Sequence, residues 1–361
     1  MMILPCLRAG GAERQMGYLS RGLAELGHEV IIVTLSEKDL FNSGRNNKIQ
    51  HYRLNGINNY DPRLLFQLIY LVHKEKPEII QTWNTQTDIL GGVAAIFNGC
   101  RWVIREPNCA DPYRFGWKSK LRAWMGAKAD DIISNSAGGS DYWHNLYPEK
   151  RNYVISNGLP LREIGKVTAK NRQELGIEDG QKFILFAGRL RRQKGVDRII
   201  SALAMFDQQS HPIVFICGEG KQRDELQTMA RRLGIENRIR FLGRLPAEDL
   251  WAMMKSADLF VSLTDYEGMP NTVMEAMACG CPILISDIPA HREIVDETTG
   301  CLVNPQEIEG VAQELQTILA GREESQRRAD KAAEKSTEWS IGRMVESYEQ
   351  VYREILRRQF R

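Results

Sequence analysis

Leu259-Phe260-Val261-Ser262-Leu263-Thr264-Asp265-Tyr266-Glu267-Gly268-Met269-Pro270-Asn271-Thr272-Val273-Met274-Glu275-Ala276-Met277-Ala278-Cys279-Gly280-Cys281-Pro282-Ile283-Leu284-Ile285 reads as strand, loop, helix and strand. The two flanking runs are continuously apolar, as strands covered on both faces of a parallel sheet are. Thr272 to Ala278 is a short apolar helix. Pro270 suits its start, where a missing N–H costs nothing. Strand, crossover helix and strand build a parallel sheet with right-handed connections. In such sheets ligands sit outside the carboxyl ends of the strands. Glu267 stands at the helix entrance and Glu275 in its first turns, with seven residues between them. The entrance amides have no intrahelical acceptors. They suit a phosphate, and the carboxylates suit sugar or ribose hydroxyls.

The same alternation runs outward in both directions. Phe183–Phe186, Ile213–Cys217 and Ile239–Leu242 are strands, with helices over 196–206, 222–233 and 247–255. In the first half, 2–6, 30–34, 78–82, 102–104, 131–136 and 152–155 are strands, and 11–27, 63–75 and 89–97 are helices. Two series imply two doubly wound α/β domains, 1–160 and 161–340, facing a cleft. The stretch from Pro160 to Lys170 lacks periodicity and reads as the linker. An amphipathic helix over 341–361, with Met344, Tyr348, Val351, Ile355 and Leu356 on its stripe, either finishes the second domain or crosses back to the first.

Composition narrows the class. The 361 residues are 43% hydrophobic and 26% charged, with a formal charge of +2. That suits a globular protein without a nucleic-acid partner. No apolar run approaches the roughly 18–20 residues that span a bilayer, and no signal peptide is visible before Arg8. The seven cysteines show no zinc spacing and read as reduced thiols in the cytoplasm. No Asp-x-Asp occurs, so the short metal clamp of sugar diphosphates is missing and no metal is expected. Gly188-Arg189 follows one strand and Lys194-Gly195 precedes the next helix; two cations in one loop can neutralise a pyrophosphate. Gly218-Glu219-Gly220 and Gly243-Arg244 end neighbouring strands in glycine turns, the latter able to meet a nucleobase edge.

These motifs resemble the retaining nucleotide-sugar glycosyltransferases of family 4, which have the GT-B fold of two Rossmann-like domains. The resemblance rests on Gly188-Arg189, Lys194-Gly195, Gly218-Glu219-Gly220, Glu267-x7-Glu275 running into Ala276-Met277-Ala278-x-Gly280-x-Pro282, and Gly10-Gly11-Ala12-Glu13-Arg14. It implies that Arg189 and Lys194 bind the diphosphate and stabilise the leaving group. Glu267 then faces the donor sugar, and the backbone through Gly268, Met269, Pro270, Asn271 and Thr272 holds sugar and phosphate oxygens. Glu275 takes the ribose. Gly10 and Gly11 let the backbone approach the diphosphate or acceptor. The expected reaction is retaining transfer from a nucleotide-sugar, UDP-linked with GDP open, by front-face displacement; Glu267 as covalent nucleophile is the other route.

One departure stands out. The family's usual histidine near the fourth strand's end is absent from Ile104-Arg105-Glu106-Pro107-Asn108, leaving Glu106 and Asn108 as acceptor-side candidates. His28 and His291 read as structural. In 111–128, Tyr113, Phe115, Trp117 and Trp124 interleave with Arg114, Lys118, Lys120, Arg122 and Lys128. This helix either packs its tryptophans on the sheet or lies on an anionic membrane surface, where a lipid-linked glycan acceptor in bacterial-type surface polysaccharide assembly would place it at the inner face of the membrane. Two other functions use the same pocket: a nucleotide-sugar epimerase, and a non-catalytic nucleotide-sugar-binding protein.

Overall fold

The computed structural model describes residues 1–6, 10–35, 47–58, 61–110, 116–206 and 212–358. They form two compact units, one of Met1–Gly158 with Trp339–Arg361, the other of Leu159–Glu338.

In the first unit the strands are β1 (Met2–Leu4), β2 (Val30–Thr34), β3 (Ile49–Arg53), β4 (Ile79–Trp83), β5 (Arg101–Glu106), β6 (Asp131–Ser134) and β7 (Asn152–Val154). The helices between them are α1 (Gly11–Glu25), α2 (Pro62–Glu75), α3 (Thr85–Asn98), α4 (Trp117–Gly126) and α5 (Ala137–Leu146). Among the described residues the sheet order is β3-β2-β1-β4-β5-β6-β7, and every pairing is parallel. The chain direction across the sheet therefore reverses between β1 and β4. The sequence reading passed over β3. Only Ile49 of it is buried, with Gln50, His51 and Arg53 exposed, so it has the character of an edge strand rather than an apolar run.

The second unit opens with α6 (Leu161–Lys166). This corrects the reading of that stretch as irregular: six residues carry a single buried anchor, Ile164, too few to show a period. Then follow β8 (Phe183–Ala187), α7 (Val196–Leu203), β9 (Ile213–Cys217), α8 (Arg223–Arg232), β10 (Ile239–Gly243), α9 (Ala247–Ser256), β11 (Leu259–Ser262), α10 (Asn271–Ala278), β12 (Ile283–Ser286), α11 (Pro289–Arg292), β13 (Cys301–Val303), α12 (Ile308–Ala320) and α13 (Arg322–Ser336). The described sheet is parallel throughout, in the order β10-β9-β8-β11-β12-β13. Every residue of β8, β9, β11 and β12 is buried, which is why these runs are apolar apart from the closing Ser262 and Ser286. Here the order reverses between β8 and β11. The loop carrying Arg189 and the loop carrying Glu267 leave those two strands.

The chain ends in α14 (Ile341–Arg357), which belongs to the first unit. Met344, Val345, Tyr348, Val351 and Ile355 join the core formed by Met16, Leu19 and Leu23 of α1. A Cβ on Gly22 would sit 2.3 Å from Val345 Cγ2, so the glycine allows this close packing. Beyond the helix, Arg358 grips both carboxylate oxygens of Asp131 at 2.7 and 2.8 Å.

On α4, Arg122 rather than a tryptophan enters the core. It is fully buried between Asp88, 2.6 Å away, and Glu106, 2.7 Å away, with its guanidinium 5.0 Å from the Trp143 ring. Burial pushes the Asp88 carboxyl up to about 6 against the pull of Arg122. Trp117 and Trp124 instead face outward, 66% and 60% exposed, with Lys118 and Lys128 beside their rings. Tyr113, Arg114 and Phe115 lie outside the described residues.

Candidate active site

Gln193 stitches the two loops at the β8/β11 reversal together. Its carbonyl accepts from Asp265 N–H at 2.8 Å and from Thr264 Oγ1 at 3.0 Å, and its amide donates to the Tyr266 carbonyl at 2.7 Å. Arg198 adds bonds to the Leu263 carbonyl and to Asp265. Gly195, at φ +62°, lets the chain pass close by; a Cβ there would stand 2.0 Å from the Leu263 carbonyl oxygen. The result is that Lys194 donates directly to Glu267, both side chains being largely buried. Seventy-three positions separate them in sequence. Arg189, just past the end of β8, is exposed and makes no ion pair among the described residues.

The neighbouring strands supply a second layer of glycine turns. Gly188 N–H donates to the Cys217 carbonyl, Leu190 N–H to that of Glu219 and Gly218 N–H to that of Gly243. Gly218 has φ +150°, and a Cβ on it would overlap the Gly188 carbonyl oxygen at 1.8 Å. Glu219 and Arg244 are exposed at these ends, and Glu219 reaches the neighbourhood of Gly243. Across the reversal, Pro270 takes the N-cap position of α10 without a side-chain cap. Gly268 and Met269 are buried, Asn271 and Thr272 partly so, and Thr272 N–H lies in the turn that lacks intrahelical acceptors. Glu275 is 3% exposed on the same helix.

Sequence reasoning set His291 aside as structural, and the fold brings it into this neighbourhood. It follows β12, the strand next to β11, and its ring is fully buried. Nδ1 lies 2.7 Å from the Ser286 carbonyl, which makes it the donor nitrogen, and Nε2 has no partner among the described residues. Burial lowers its pKa, with Glu267 and Lys194 acting on it in opposite senses. No local pattern marks such a residue, because its neighbours come from other strands.

The remaining predicted residues belong to the first unit. Gly10 caps α1 in an extended conformation, and a Cβ on it would meet the Glu13 carboxylate at 2.1 Å, so that space is filled by the chain itself. Gly11 opens the helix. Glu106 requires a correction as an acceptor-side acid or base. It is wholly buried; Oε2 accepts from Trp143 Nε1 at 2.9 Å and faces Arg122, while Oε1 accepts from Asn108 N–H at 2.9 Å. Both oxygens serve the core, and neither opens to a substrate. Asn108 is half-buried.

Comparison with known proteins accounts for both halves. The model for glycosyl transferases group 1 matches residues 167–336, and that for glycosyltransferase family 4 matches 9–163. An uncharacterized glycosyltransferase of Methanocaldococcus jannaschii is 25% identical over 338 residues, covering 86% of this chain and 85% of that one. The lipopolysaccharide core biosynthesis glycosyltransferase LpsE of Rhizobium meliloti is 23% identical over 90% of both. The structure of Anabaena HepE in complex with UDP and glucose superposes with a TM-score of 0.84 at 18% identity, covering 98% of each chain. The two sheets, with their paired loops at the β8/β11 reversal, are those of the GT-B fold, and the chain belongs to the group 1, family 4 glycosyltransferases.

Proposed function

We propose that this glycosyltransferase moves a sugar from a UDP-linked donor to a lipid-linked glycan acceptor, with retention of anomeric configuration, in surface polysaccharide assembly. The observation that carries the donor site is the Lys194–Glu267 pair at the β8/β11 reversal, together with the exposed Arg189 and the first turn of α10. Departure of the nucleoside diphosphate builds negative charge, and preorganised cations and amides lower that barrier. Arg189 and Lys194 supply the cations, and the Gly268–Thr272 backbone supplies the amides. This arrangement meets the diphosphate charge without a metal ion, in keeping with a sequence that has no Asp-x-Asp.

Glu267 orients Lys194 and takes sugar hydroxyls on its remaining lone pairs. Its engagement with the ammonium supports front-face displacement, in which a donor phosphate oxygen takes the acceptor's proton, over covalent attack by the carboxylate. Glu275 takes the ribose hydroxyls. The UDP donor is supported by the UDP bound in HepE, and the surface-glycan acceptor by the similarity to LpsE. No described helix is long and apolar enough to cross a membrane. The outward Trp117 and Trp124 with Lys118 and Lys128 support contact with the anionic inner face instead.

The test is incubation with a panel of UDP- and GDP-sugars and polyprenyl-linked glycans, with NMR of the product anomer, in chelator and in added magnesium. Acceptor-dependent UDP release, a retained anomer and undiminished rate in chelator are expected. An inverted product, or activity that only magnesium restores, defeats the corresponding part of the proposal.

A further inference from the structure

Arg105 precedes Glu106 on β5 and therefore points to the opposite face of the sheet. It stacks on Trp83, its register partner on β4, with the guanidinium 4.6 Å from the ring centroid. Only 2% of the residue is exposed. Among the described residues its hydrogen-bond partner is the neutral side-chain oxygen of Asn157, and Nε has none. No carboxylate pairs with it among the described residues. The contrast with its buried neighbours is sharp: Arg122 lies between Asp88 and Glu106, and Arg101 holds Asp130. A guanidinium cannot shed its proton, and a buried cation without a counter-charge is strongly disfavoured. The charge therefore calls for an anion that the described residues do not supply.

The surroundings fit that demand. Arg105 lies at the carboxyl end of β5, next to β4, which borders the reversal between β1 and β4 where ligands of doubly wound sheets bind. Asn84, directly after Trp83, is held at φ 85° and ψ 153°, a region that side-chain-bearing residues rarely adopt. Beside Asn157, Gly158 is clamped to α1 by Gln15, which donates to its carbonyl at 3.0 Å and accepts from its amide at 2.8 Å. Asn157 is thus fixed in place as a neutral acceptor that a stronger one can displace.

We propose that Arg105 and Asn157 form an anion-binding site for a phosphate group of a substrate. The inference rests on the glycosyltransferase reading above, in which the lipid-linked acceptor supplies that group. The anion displaces the Asn157 oxygen and pairs with the guanidinium edge, while Trp83 keeps the plane fixed.

The experiment uses the full chain and Asn157→Asp, which gives Arg105 a permanent carboxylate and should fold at least as stably as the parent. UDP is titrated alone, and inorganic phosphate is titrated with UDP saturating, against chloride at matched ionic strength. Weakening of UDP binding by about tenfold or more in Asn157→Asp would overturn the acceptor assignment. If the site holds an acceptor phosphate, UDP binding is unchanged. Phosphate at about ten times its Kd then raises the parent's melting temperature by roughly 3 °C and leaves the variant's unmoved. Arg105→Met, which keeps the stack on Trp83 without the charge, should repeat whichever result is found. Identical UDP and phosphate responses in parent and variants would overturn the site and leave Arg105 a packing residue. A parent that ignores every nucleotide while responding to phosphate through Arg105 would instead sink the donor reading and spare this one.

Discussion

At Lys194 the charge is written locally, but its partner is not. The ammonium owes its place to Gln193 and Gly195, which bind the β11 loop, and its role to Glu267. Lys194→Ala should lower kcat by about 10²–10³-fold with a smaller change in donor affinity, because charge on the leaving group peaks in the transition state. Glu275→Ala should do the reverse, weakening donor binding while sparing kcat; steady-state kinetics with varied donor read both, and unchanged kinetics in both variants would defeat the site. His291 offers a separate test through stability. Its folded pKa is depressed by burial from the ordinary value of 6.5, so above that value it is neutral in both states. As pH falls below 6.5 the unfolded chain takes a proton that the folded chain resists, and stability drops by up to about 1.4 kcal/mol per pH unit. Denaturant titrations of His291→Phe should show a shallower acid-side slope; equal slopes would mean the ring is not held neutral.

Among the elements, the glycine turns ending β8, β9 and β10 act together. Gly188 N–H bonds the Cys217 carbonyl and Gly218 N–H that of Gly243, and each loop sets the height of the next. A methyl group on Gly218 cannot be absorbed by side-chain movement, because what it meets is the Gly188 carbonyl. Gly218→Ala should therefore displace Arg189 and cost about 2 kcal/mol or more in stability. Calorimetric titration with UDP should find binding weakened at least tenfold, and parent-like affinity would show that the turns move independently. The sequence marked these turns, because glycine after a strand is visible locally. It could not tell Gly218, whose positive φ and close approach leave no alternative, from an ordinary turn glycine. Glu106 shows the opposite failure: a carboxylate at a strand's end resembles a catalytic group until Arg122, from a helix further on, is found against it.

On the scale of the whole molecule, the chain leaves its first unit after Gly158 and returns to it at Trp339. The stripe of α14 completes the core over α1, and Tyr352 donates to Gln81 of β4. Ending the chain before Trp339 should expose that core, lowering the melting temperature of the first unit and hastening proteolysis within 1–158. The second unit's core holds no residue of α14, so its protection should persist. Limited proteolysis with mass mapping checks this; equal loss of protection in both units would show that the helix serves more than its own unit.

Parallel architecture, the two-domain series and the glycine turns after the strands were legible from local order. Strands buried on both faces of a parallel sheet are mostly apolar, and a turn that passes close to neighbouring backbone needs glycine, whatever surrounds them. Which unit α14 completes, that Glu106 is spent on Arg122, that His291 stands near Lys194 and Glu267, and that Arg105 lacks a counter-charge among the described residues were not legible. Each depends on which charges share a low-dielectric interior, and that follows from strand order and register, which bring together residues far apart in the chain.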